Sequence, residues 1–347
     1  MVTKPQSDAV LKEPRTDEAR VWEIILPLWS NAAILVAHDL KLYEYLGGQP
    51  RTVTEICDSL GIKQRPASAL LSISAALGIV KSDQDRFSLT DFGEDYFVSS
   101  SPTYFGGIFD LTAMNSNVWS FEGVRKAVLT NSPQAYGGAD IFDYREIPAE
   151  QARNFTRAMH SQGMASALKW PGVLDLSKQK TMLDVGGGSG AFSVTAVIRW
   201  PNLNAIVFDL EPVCEVALEV ATKYELTDRI SSYAGDLWSD PYPNADLHFY
   251  SNVFHDWPPE RCRFLLAKSF DSLPGCGRLV IHEILFNDDR TGPFAAASFN
   301  VEMLCWILGQ QYSGKELIRM LQDSGFVDVE VHKCSSLWSL VTGKKPS

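Results

Sequence analysis

The sequence lacks the features by which several classes of protein are recognised. Its six cysteines are scattered, with no CxxC pair and no spacing typical of a zinc site, which favours reduced structural thiols. The N-terminal stretch MVTKPQSDAVLKEPRTDEAR is polar and charged, so we expect no signal peptide. No continuous apolar run approaches the ~20 residues of a membrane span. We therefore expect no membrane contact and a cytoplasmic location.

Positive charge is also scarce. The chain has 31 lysine and arginine residues against 42 aspartates and glutamates, a net charge of −11, and its pI is about 5.1. Because nucleic-acid binding depends mainly on neutralising phosphates, this balance argues against a nucleic-acid partner. With 347 residues, 45% of them hydrophobic, the chain is long enough for two domains. We expect a disordered lead-in at 1–16 and domains at 17–165 and 166–347.

The first of these domains reads as helical. Residues 17–46 have a helical pattern that is apolar on more than one face, which is typical of a helix buried between subunits or domains. Thr52 and Glu55 then form a capping-box pattern at the start of a helix. A second helix from about 65 to 77 and a short strand pair follow, the order of a winged-helix module. That second helix, RPASALLSISAALG, carries one charged side chain, whereas a recognition helix presents polar groups to base edges. We therefore favour packing and dimerisation over DNA binding.

Residues 103–170 read as further helices that are rich in aromatic side chains. Most of these side chains fit ordinary core packing, and a subset is suited to the wall of a pocket for a planar ligand. The aromatic residues are Phe105, Phe109, Trp119, Phe121, Tyr136, Phe142, Phe155 and Trp170.

From residue 181 onward, apolar strands alternate with helices, which predicts an α/β domain with a doubly wound, mainly parallel sheet. The last two strands read as a hairpin and suggest one antiparallel edge strand. In such sheets a ligand binds outside the carboxyl ends of the strands.

A glycine-rich turn follows the first of these strands. In LDVGGGSG, Asp184 lies near the strand end and glycines at 186–188 and 190 allow a ligand to approach the backbone closely. The dinucleotide fingerprint fails, because Ser193 occupies the position of its third glycine. Asp209 ends the second strand, where an acid can bind a ribose diol, and Asp236 follows the third strand, suited to an adenine amine. Together these features indicate a nucleoside ligand without a pyrophosphate.

The segments LDVGGGSG, VFDL, GDLW and HDW and the tail GF-x-DVEV resemble the class I S-adenosylmethionine (SAM)-dependent methyltransferases. More narrowly, the chain is similar to the caffeic acid and acetylserotonin O-methyltransferase-like group over about residues 20–345. The resemblance implies a seven-stranded, Rossmann-like methyltransferase sheet preceded by an all-helical winged-helix domain that mediates homodimerisation and closes the substrate pocket. It implies a SAM-binding catalytic domain, S-adenosylhomocysteine as product, a small aromatic acceptor and no metal.

The resemblance also assigns residues to the cofactor. The glycine turn would hold the methionine end, Asp209 the ribose and Asp236 the adenine, while Ser251 stands where some relatives have a lysine. The implied cofactor-binding set is Asp184, Gly186, Gly187, Gly188, Asp209, Leu210, Gly235, Asp236, Leu237 and Ser251.

His255, at the end of the apolar strand of LHFYSNVFHDWPP, is the candidate general base. A phenol with a pKa near ~10 is mostly protonated at neutral pH, and a neutral imidazole with a pKa near ~6.5 is a suitable proton acceptor. The resemblance supplies Glu283, on the next strand, as the carboxylate that fixes the imidazole tautomer. Asp256, adjacent in sequence, is expected to point elsewhere unless it steers the substrate.

Gln311 stands where relatives often carry a second glutamate beside the base, and it is expected to hold the imidazole through its amide carbonyl. Because an amide supplies no charge, methylation of nitrogen or carbon, instead of oxygen, remains open. Candidate acceptor-contacting residues are Met159, His160, Trp257 and Glu302.

Three other functions remain alternatives. Metal-assisted C-methylation would need a third histidine beside His255 and Glu283, and none is evident. A winged-helix regulator that senses SAM is disfavoured by the acidic pI, and a scaffold that binds SAM for different chemistry remains possible.

Overall fold

A computed structural model describes residues 13–138 and 148–347. The chain divides into two compact units, Met1–Phe97 and Val98–Ser347. The lead-in predicted at 1–16 lies, up to residue 12, outside the described residues, and so does Phe142.

The first unit follows the predicted order of helices and hairpin. Thr52 accepts a hydrogen bond from the Glu55 amide and the Glu55 side chain accepts one from the Thr52 amide, so the capping box is confirmed. The prediction of an all-helical domain is wrong, because an extra strand joins the hairpin in a three-stranded antiparallel sheet of order β1-β3-β2. The elements are α1 (Ala19–Asp39), α2 (Leu42–Leu46), β1 (Arg51–Thr52), α3 (Val53–Leu60), α4 (Gln64–Ala76), β2 (Val80–Asp83), β3 (Arg86–Leu89) and α5 (Asp91–Tyr96).

Helix α1 exposes most of its apolar side chains, and only 17% of its most apolar window is buried. By length and composition it is apolar enough to cross a membrane, so the expectation that no segment reaches that length is wrong. The expectation counted uninterrupted apolar residues. Polar side chains such as Glu23 and Asn31 interrupt the apolar run of α1, but its mean hydropathy stays high enough for a membrane span. The exposed apolar residues are Val21, Trp22, Ile24, Leu26, Leu28, Trp29 and Val36.

The second unit is built on a seven-stranded sheet of order β6-β5-β4-β7-β8-β10-β9, as the predicted fold class requires. Its strands are β4 (Thr181–Val185), β5 (Asn204–Asp209), β6 (Ile230–Ala234), β7 (Leu247–Ser251), β8 (Arg278–Ile284), β9 (Val327–Lys333) and β10 (Trp338–Lys344). Its helices are α6 (Gly106–Met114), α7 (Phe121–Thr130), α8 (Ala149–Ala167), α9 (Ala191–Arg199), α10 (Glu211–Lys223), α11 (Pro259–Ser272), α12 (Phe294–Trp306) and α13 (Gly314–Asp323). Short 3-10 turns span Ala135–Gly138, Trp170–Gly172 and Phe254–Asp256.

Strands β4 to β8 pair in parallel, and β10 pairs antiparallel with both β8 and β9. The predicted hairpin is therefore present, but its antiparallel strand is not at the edge. Strand β10 lies between β8 and β9, because the chain crosses to the edge first and returns into the gap.

Both faces of this sheet are covered. On β4, Met182 packs into one core cluster with Phe249, whereas the next residue, Leu183, packs into a second cluster with Tyr250. Such strands read as continuous apolar runs because neither face meets water, which is why the sequence signal was clear.

The boundary between the compact units lies at 97/98, whereas the sequence predicted 165/166. Helix α8 packs on the catalytic sheet's helices, and Arg153 and Arg157 pair with Glu215 and Glu219 of α10 at 2.9 and 3.0 Å. Helices α6 to α8 therefore belong to the second unit.

Candidate active site

A pocket opens in the second unit at the carboxyl ends of β4, β5 and β7 and continues between α8 and α12. Most residues predicted for the site line it. These are Met159, Asp184, Gly186, Gly187, Gly188, Asp209, Leu210, Gly235, Asp236, Leu237, Ser251, His255, Asp256, Trp257 and Glu302. Among the predicted residues, His160, Glu283 and Gln311 lie outside this lining.

The glycine turn is fixed by backbone contacts to Asp209. Gly186 and Gly188 have φ values of 65° and 57°, a region that glycine enters without strain. The Gly188 amide donates to Asp209 Oδ2 at 2.9 Å, and the Leu210 amide donates to Oδ1 at 2.8 Å. Burial raises the pKa of Asp209 to about 6, although these two hydrogen bonds oppose the shift. The carboxyl group therefore holds the turn in place at the pocket wall.

Asp184 is the most deeply buried acid of the pocket lining, at 1% exposure. Ser193 donates to its Oδ2 at 2.7 Å, while Oδ1 has no partner among the described residues. Burial raises the pKa of Asp184 to about 7, and the charge of Asp209 adds to the shift. The serine that breaks the dinucleotide pattern thus positions this carboxyl group.

Two further polar groups at this end are already engaged within the protein. Asp236 accepts hydrogen bonds from the Trp238 amide at 2.8 Å and from the Ser239 hydroxyl at 3.2 Å. The Ser251 hydroxyl pairs with His282 Nδ1 at 3.0 Å. Burial lowers the pKa of His282 to about 3, so this imidazole is neutral.

His160 does not line the pocket, contrary to its prediction as an acceptor contact. Its Nδ1 pairs with the Ser189 hydroxyl at 2.8 Å, and burial lowers the pKa of the imidazole to about 4. Helix α8 directs this side chain toward the glycine turn, so His160 supports Ser189 there.

His255 lies in the 3-10 turn that follows β7 and is 6% exposed. Its Nδ1 is 2.7 Å from Glu283 Oε2, as the sequence led us to expect. Glu283 Oε1 accepts from the backbone amides of Phe254 and His255 at 3.1 and 3.3 Å. One carboxylate therefore fixes both the imidazole and the turn that carries it.

The sequence suggested that Asp256 points away from the imidazole, and this is wrong. Asp256 lies with His255 in a 3-10 turn, where side chains do not alternate as they do in a strand. Its Oδ1 is 3.3 Å from His255 Nε2, so each imidazole nitrogen has a carboxylate partner. Burial by itself lowers the pKa of His255, but Glu283 and Asp256 outweigh it and the pKa is well above its usual value. The two carboxylates therefore favour the protonated form of His255.

Contrary to the prediction from the sequence, Gln311 does not hold the imidazole through its amide carbonyl. Its side chain is buried, and neither amide atom has a hydrogen-bond partner among the described residues. The neighbouring Gly309 instead approaches the site, since a Cβ atom there would collide with the His255 carbonyl and the Asp256 backbone. The Gly-Gln-Gln segment thus supports the base by close backbone packing.

The other end of the pocket is mostly apolar. Helix α8 presents Phe155 and Met159, and α12 presents Phe299, Met303 and Trp306. Trp306 is surrounded by aromatic rings, with centroid distances of 5.8 Å to Trp119, 5.6 Å to Tyr136 and 6.0 Å to Phe155. Of the predicted aromatic residues, Tyr136 and Phe155 line the pocket and Trp119 stacks behind Trp306.

Sequence reasoning missed several lining residues. Asn252 follows β7 with a φ of 57°, an unusual value for a residue other than glycine, and its Oδ1 has no partner in the described part of the chain. Its place between Ser251 and the base was the available signal. Gln151, Gln162 and Trp306 sit on helix faces whose direction the sequence did not reveal.

The residues at the strand ends fit SAM, which carries an ammonium, a sulfonium, a ribose diol and an adenine. An unpartnered carboxylate oxygen of Asp184 suits a cationic group, and a Cβ atom at Gly188 would meet nothing within 4 Å, which leaves space beside the backbone of the turn. Within the described ranges, no group of three or more His, Cys, Asp or Glu residues is arranged to hold a metal.

Comparisons with known proteins agree with this geometry. The crystal structure of human N-acetylserotonin methyltransferase in complex with SAM superposes with a TM-score of 0.82 at 22% identity, covering 97% of this chain and 100% of that one. This likeness shows the class I methyltransferase fold. A family model described as an O-methyltransferase domain matches residues 121–327.

Curated relatives extend over nearly the whole chain. A 3-hydroxy-5-methyl-1-naphthoate 3-O-methyltransferase of Streptomyces sahachiroi is 31% identical over 89% of each chain. An acetylserotonin O-methyltransferase of Gallus gallus is 27% identical over 91% of this chain and 94% of the relative. The chain therefore belongs to the SAM-dependent O-methyltransferase family.

Proposed function

We propose that this enzyme transfers a methyl group from SAM to a hydroxyl of a small aromatic acceptor, with His255 as the general base. The observation that carries the proposal is the position of His255 between the two ends of one pocket. The polar strand ends that fit SAM lie on one side of it, and the aromatic walls from α8 and α12 lie on the other. The curated relatives, whose names specify naphthoate and indole-type acceptors, support an aromatic hydroxyl.

SAM supplies an electrophilic methyl group when it is bound. The chain must align the acceptor hydroxyl with that group and take the hydroxyl proton. Glu283 holds Nδ1 and leaves Nε2 directed into the pocket, where Asp256 now contacts it. An acceptor hydroxyl that reaches Nε2 takes the place of the Asp256 contact, which weakens the hold of Asp256 on the imidazolium and favours the neutral base.

The roles of the remaining predicted residues follow from the same placement. We assign Asp184 and the glycine turn to the methionine end of SAM, Asp209 with Leu210 to the ribose, and Asp236 with its neighbours to the adenine. Met159, Trp257 and Glu302 are assigned to the acceptor.

We also propose that the enzyme is a cytoplasmic homodimer that associates through its first unit, a winged-helix-like module. The seven exposed apolar residues of α1 form a surface that a second copy would cover. Light scattering should give twice the chain mass for the wild type and a monomer for Trp22→Asp/Trp29→Asp, while Leu168→Asp, an exposed apolar site outside α1, should stay dimeric. Flotation of the wild type with lipid vesicles would instead assign α1 to a membrane.

The activity test is transfer of labelled methyl from SAM to phenols, anilines and β-dicarbonyls. We expect label on phenols, a loss of about 10²-fold or more for His255→Ala, and wild-type rates for His332→Ala, a histidine on β9 outside the pocket lining. Label on anilines or carbon acids, with His255→Ala nearly as fast, would assign nitrogen or carbon methylation and a positional role for His255.

A further inference from the structure

Glu302 is an unexpected residue for its position in the fold. Helix α12 turns Phe299, Glu302, Met303 and Trp306 toward the pocket, and this spacing of three, four and seven residues marks one helix face. Its three companions on that face are apolar. A carboxylate at such a position costs free energy unless something in the pocket compensates it.

The charge of His255 compensates the carboxylate in part, but no hydrogen-bond donor of the described residues does. Glu302 accepts no hydrogen bond from any residue that the structure describes, although it is only partly exposed. Of the other polar side chains at this end, Thr156 donates to a backbone carbonyl of its own helix at 2.8 Å, and the indole N–H of Trp306 has no partner among the described residues. Glu302 is thus a hydrogen-bond acceptor that faces the acceptor site without a donor.

Glu302 also lies close enough to the base for their charges to interact. Burial raises the pKa of Glu302, with His255 lowering it and Asp256 raising it. Glu302 and His255 also line the same pocket, so a ligand whose reacting hydroxyl is at His255 can present a second hydroxyl to Glu302. With Asp256 and Glu283, the site contains three carboxyl groups around one imidazole, which disfavours an anionic acceptor.

We infer that Glu302 selects the acceptor by accepting a hydrogen bond from a second hydroxyl beside the one that is methylated, so the natural acceptor is an uncharged aromatic diol. The inference rests on the proposed function and narrows it. A carboxylate at the same ring position would be repelled, and a methoxy group would leave Glu302 without a donor.

The test compares acceptors that differ only beside the reacting hydroxyl. The probes are 2,3-dihydroxynaphthalene, 3-methoxy-2-naphthol, 2-naphthol and 3-hydroxy-2-naphthoate, with 1,8-dihydroxynaphthalene as a peri diol. Wild type should prefer at least one diol over its monohydroxy analogue by about tenfold or more in kcat/KM, the size expected for a hydrogen bond to a charged group.

Two variants separate charge from hydrogen bonding. Glu302→Leu should lower the ratio of kcat/KM for the diol to kcat/KM for 2-naphthol to about one, because the apolar face remains packed and the hydrogen-bond acceptor is removed. Glu302→Gln should keep part of the preference and gain activity on 3-hydroxy-2-naphthoate, because its carbonyl still accepts a hydrogen bond. Glu122→Gln, an exposed glutamate on α7, should retain the wild-type ratio.

Binding measured by calorimetry in the presence of S-adenosylhomocysteine distinguishes this inference from the proposed function. Turnover of all phenols without a diol preference, or a preference unchanged in Glu302→Leu, overturns the role of Glu302 and leaves O-methylation standing. Tighter diol binding that Glu302→Leu removes, without methylation of any phenol, supports the recognition role and overturns the proposed chemistry. If the diol neither binds preferentially nor is methylated, the role of Glu302 and the proposed O-methylation are both overturned.

Discussion

Replacing Glu283 by glutamine tests the base most directly, because it removes one charge and keeps the size of the side chain. Glu283 contacts the imidazole at 2.7 Å in a buried position and raises the pKa of His255. An opposite charge at this range shifts a pKa by about 1–3 units. Since Asp256 keeps its contact with Nε2, we expect Glu283→Gln to lower the pKa of His255 by about 1–2 units.

The sign of the effect on rate follows from the role of a base. Only the deprotonated imidazole accepts a proton, so kcat/KM should rise with pH through the raised pKa of His255 and level off above it. In Glu283→Gln the rise should move to lower pH by about 1–2 units, while the plateau falls about 10²-fold, because the imidazolium formed in the reaction loses its stabilising charge.

The assay is kcat/KM for one phenol from pH 5 to pH 10, with Glu122→Gln as the surface control and thermal unfolding as a check on folding. Glu283→Asp, which keeps the charge, should shift the rise less than the glutamine variant does. A rise at the wild-type pH in Glu283→Gln, whatever its plateau, would refute the argument that Glu283 sets the pKa of the base.

Three further predictions concern residues around the base and the cofactor end. Gly309→Ala should lose about 10²-fold in kcat/KM, because the added methyl group displaces His255. Gly172→Ala is the control, because a Cβ atom there meets nothing within 4 Å. Wild-type activity of Gly309→Ala would contradict the packing argument. Gln311→Leu should keep kcat, and it should lower the free energy of unfolding by at most about 1 kcal/mol or raise it, because the buried amide has no partner. Loss of activity would instead show that Gln311 holds the imidazole, as the sequence predicted. Because the pKa values of Asp184 and Asp209 are raised to about 7 and about 6, affinity for SAM should increase from pH 5 to pH 8 with proton release, measured by calorimetry in two buffers. A pH-independent affinity would show that neither acid loses a proton when SAM binds.

The same two acids set a pH dependence of stability with the opposite sense. A carboxyl group whose pKa is higher in the folded than in the unfolded state binds more protons when folded, so the ligand-free protein loses stability as pH rises from about 4 to 7. Cationic SAM removes that loss by stabilising the ionised forms. The stabilisation that SAM provides should therefore be larger at pH 7 than at pH 5.

Much of the site could be predicted because its residues follow strands. An apolar run buried on both faces identifies β4, β5 and β7, and the polar residue at each carboxyl end must lie at one edge of the sheet. Asp184 and Asp209 were accessible for that reason, whereas the pairing of His255 with Glu283 came from the resemblance to a known family. The position of β10 between β8 and β9 could not be predicted, because the pairing of distant strands leaves no local pattern in the sequence.

The errors share a physical origin. The sequence placed Asp256 away from His255, but both residues lie in a 3-10 turn in which the Asp256 carboxylate contacts Nε2 of the imidazole. It placed Gln311 at the imidazole by position alone, whereas the close approach of Gly309 directs the segment's backbone, and not its amide, at the base. Both errors concern irregular segments, whose side-chain directions no periodicity describes.

The two carboxylates on His255 also decide what the pocket can accept. Removing Asp256 from Nε2 costs part of a charge-assisted contact, and the acceptor must offset that cost with contacts of its own. A lone hydroxyl that takes the place of Asp256 at Nε2 leaves Glu302 without a donor, because no described residue donates a hydrogen bond to it. An acceptor with two adjacent hydroxyls contacts Nε2 with one and donates to Glu302 with the other, so the geometry around the base favours a diol.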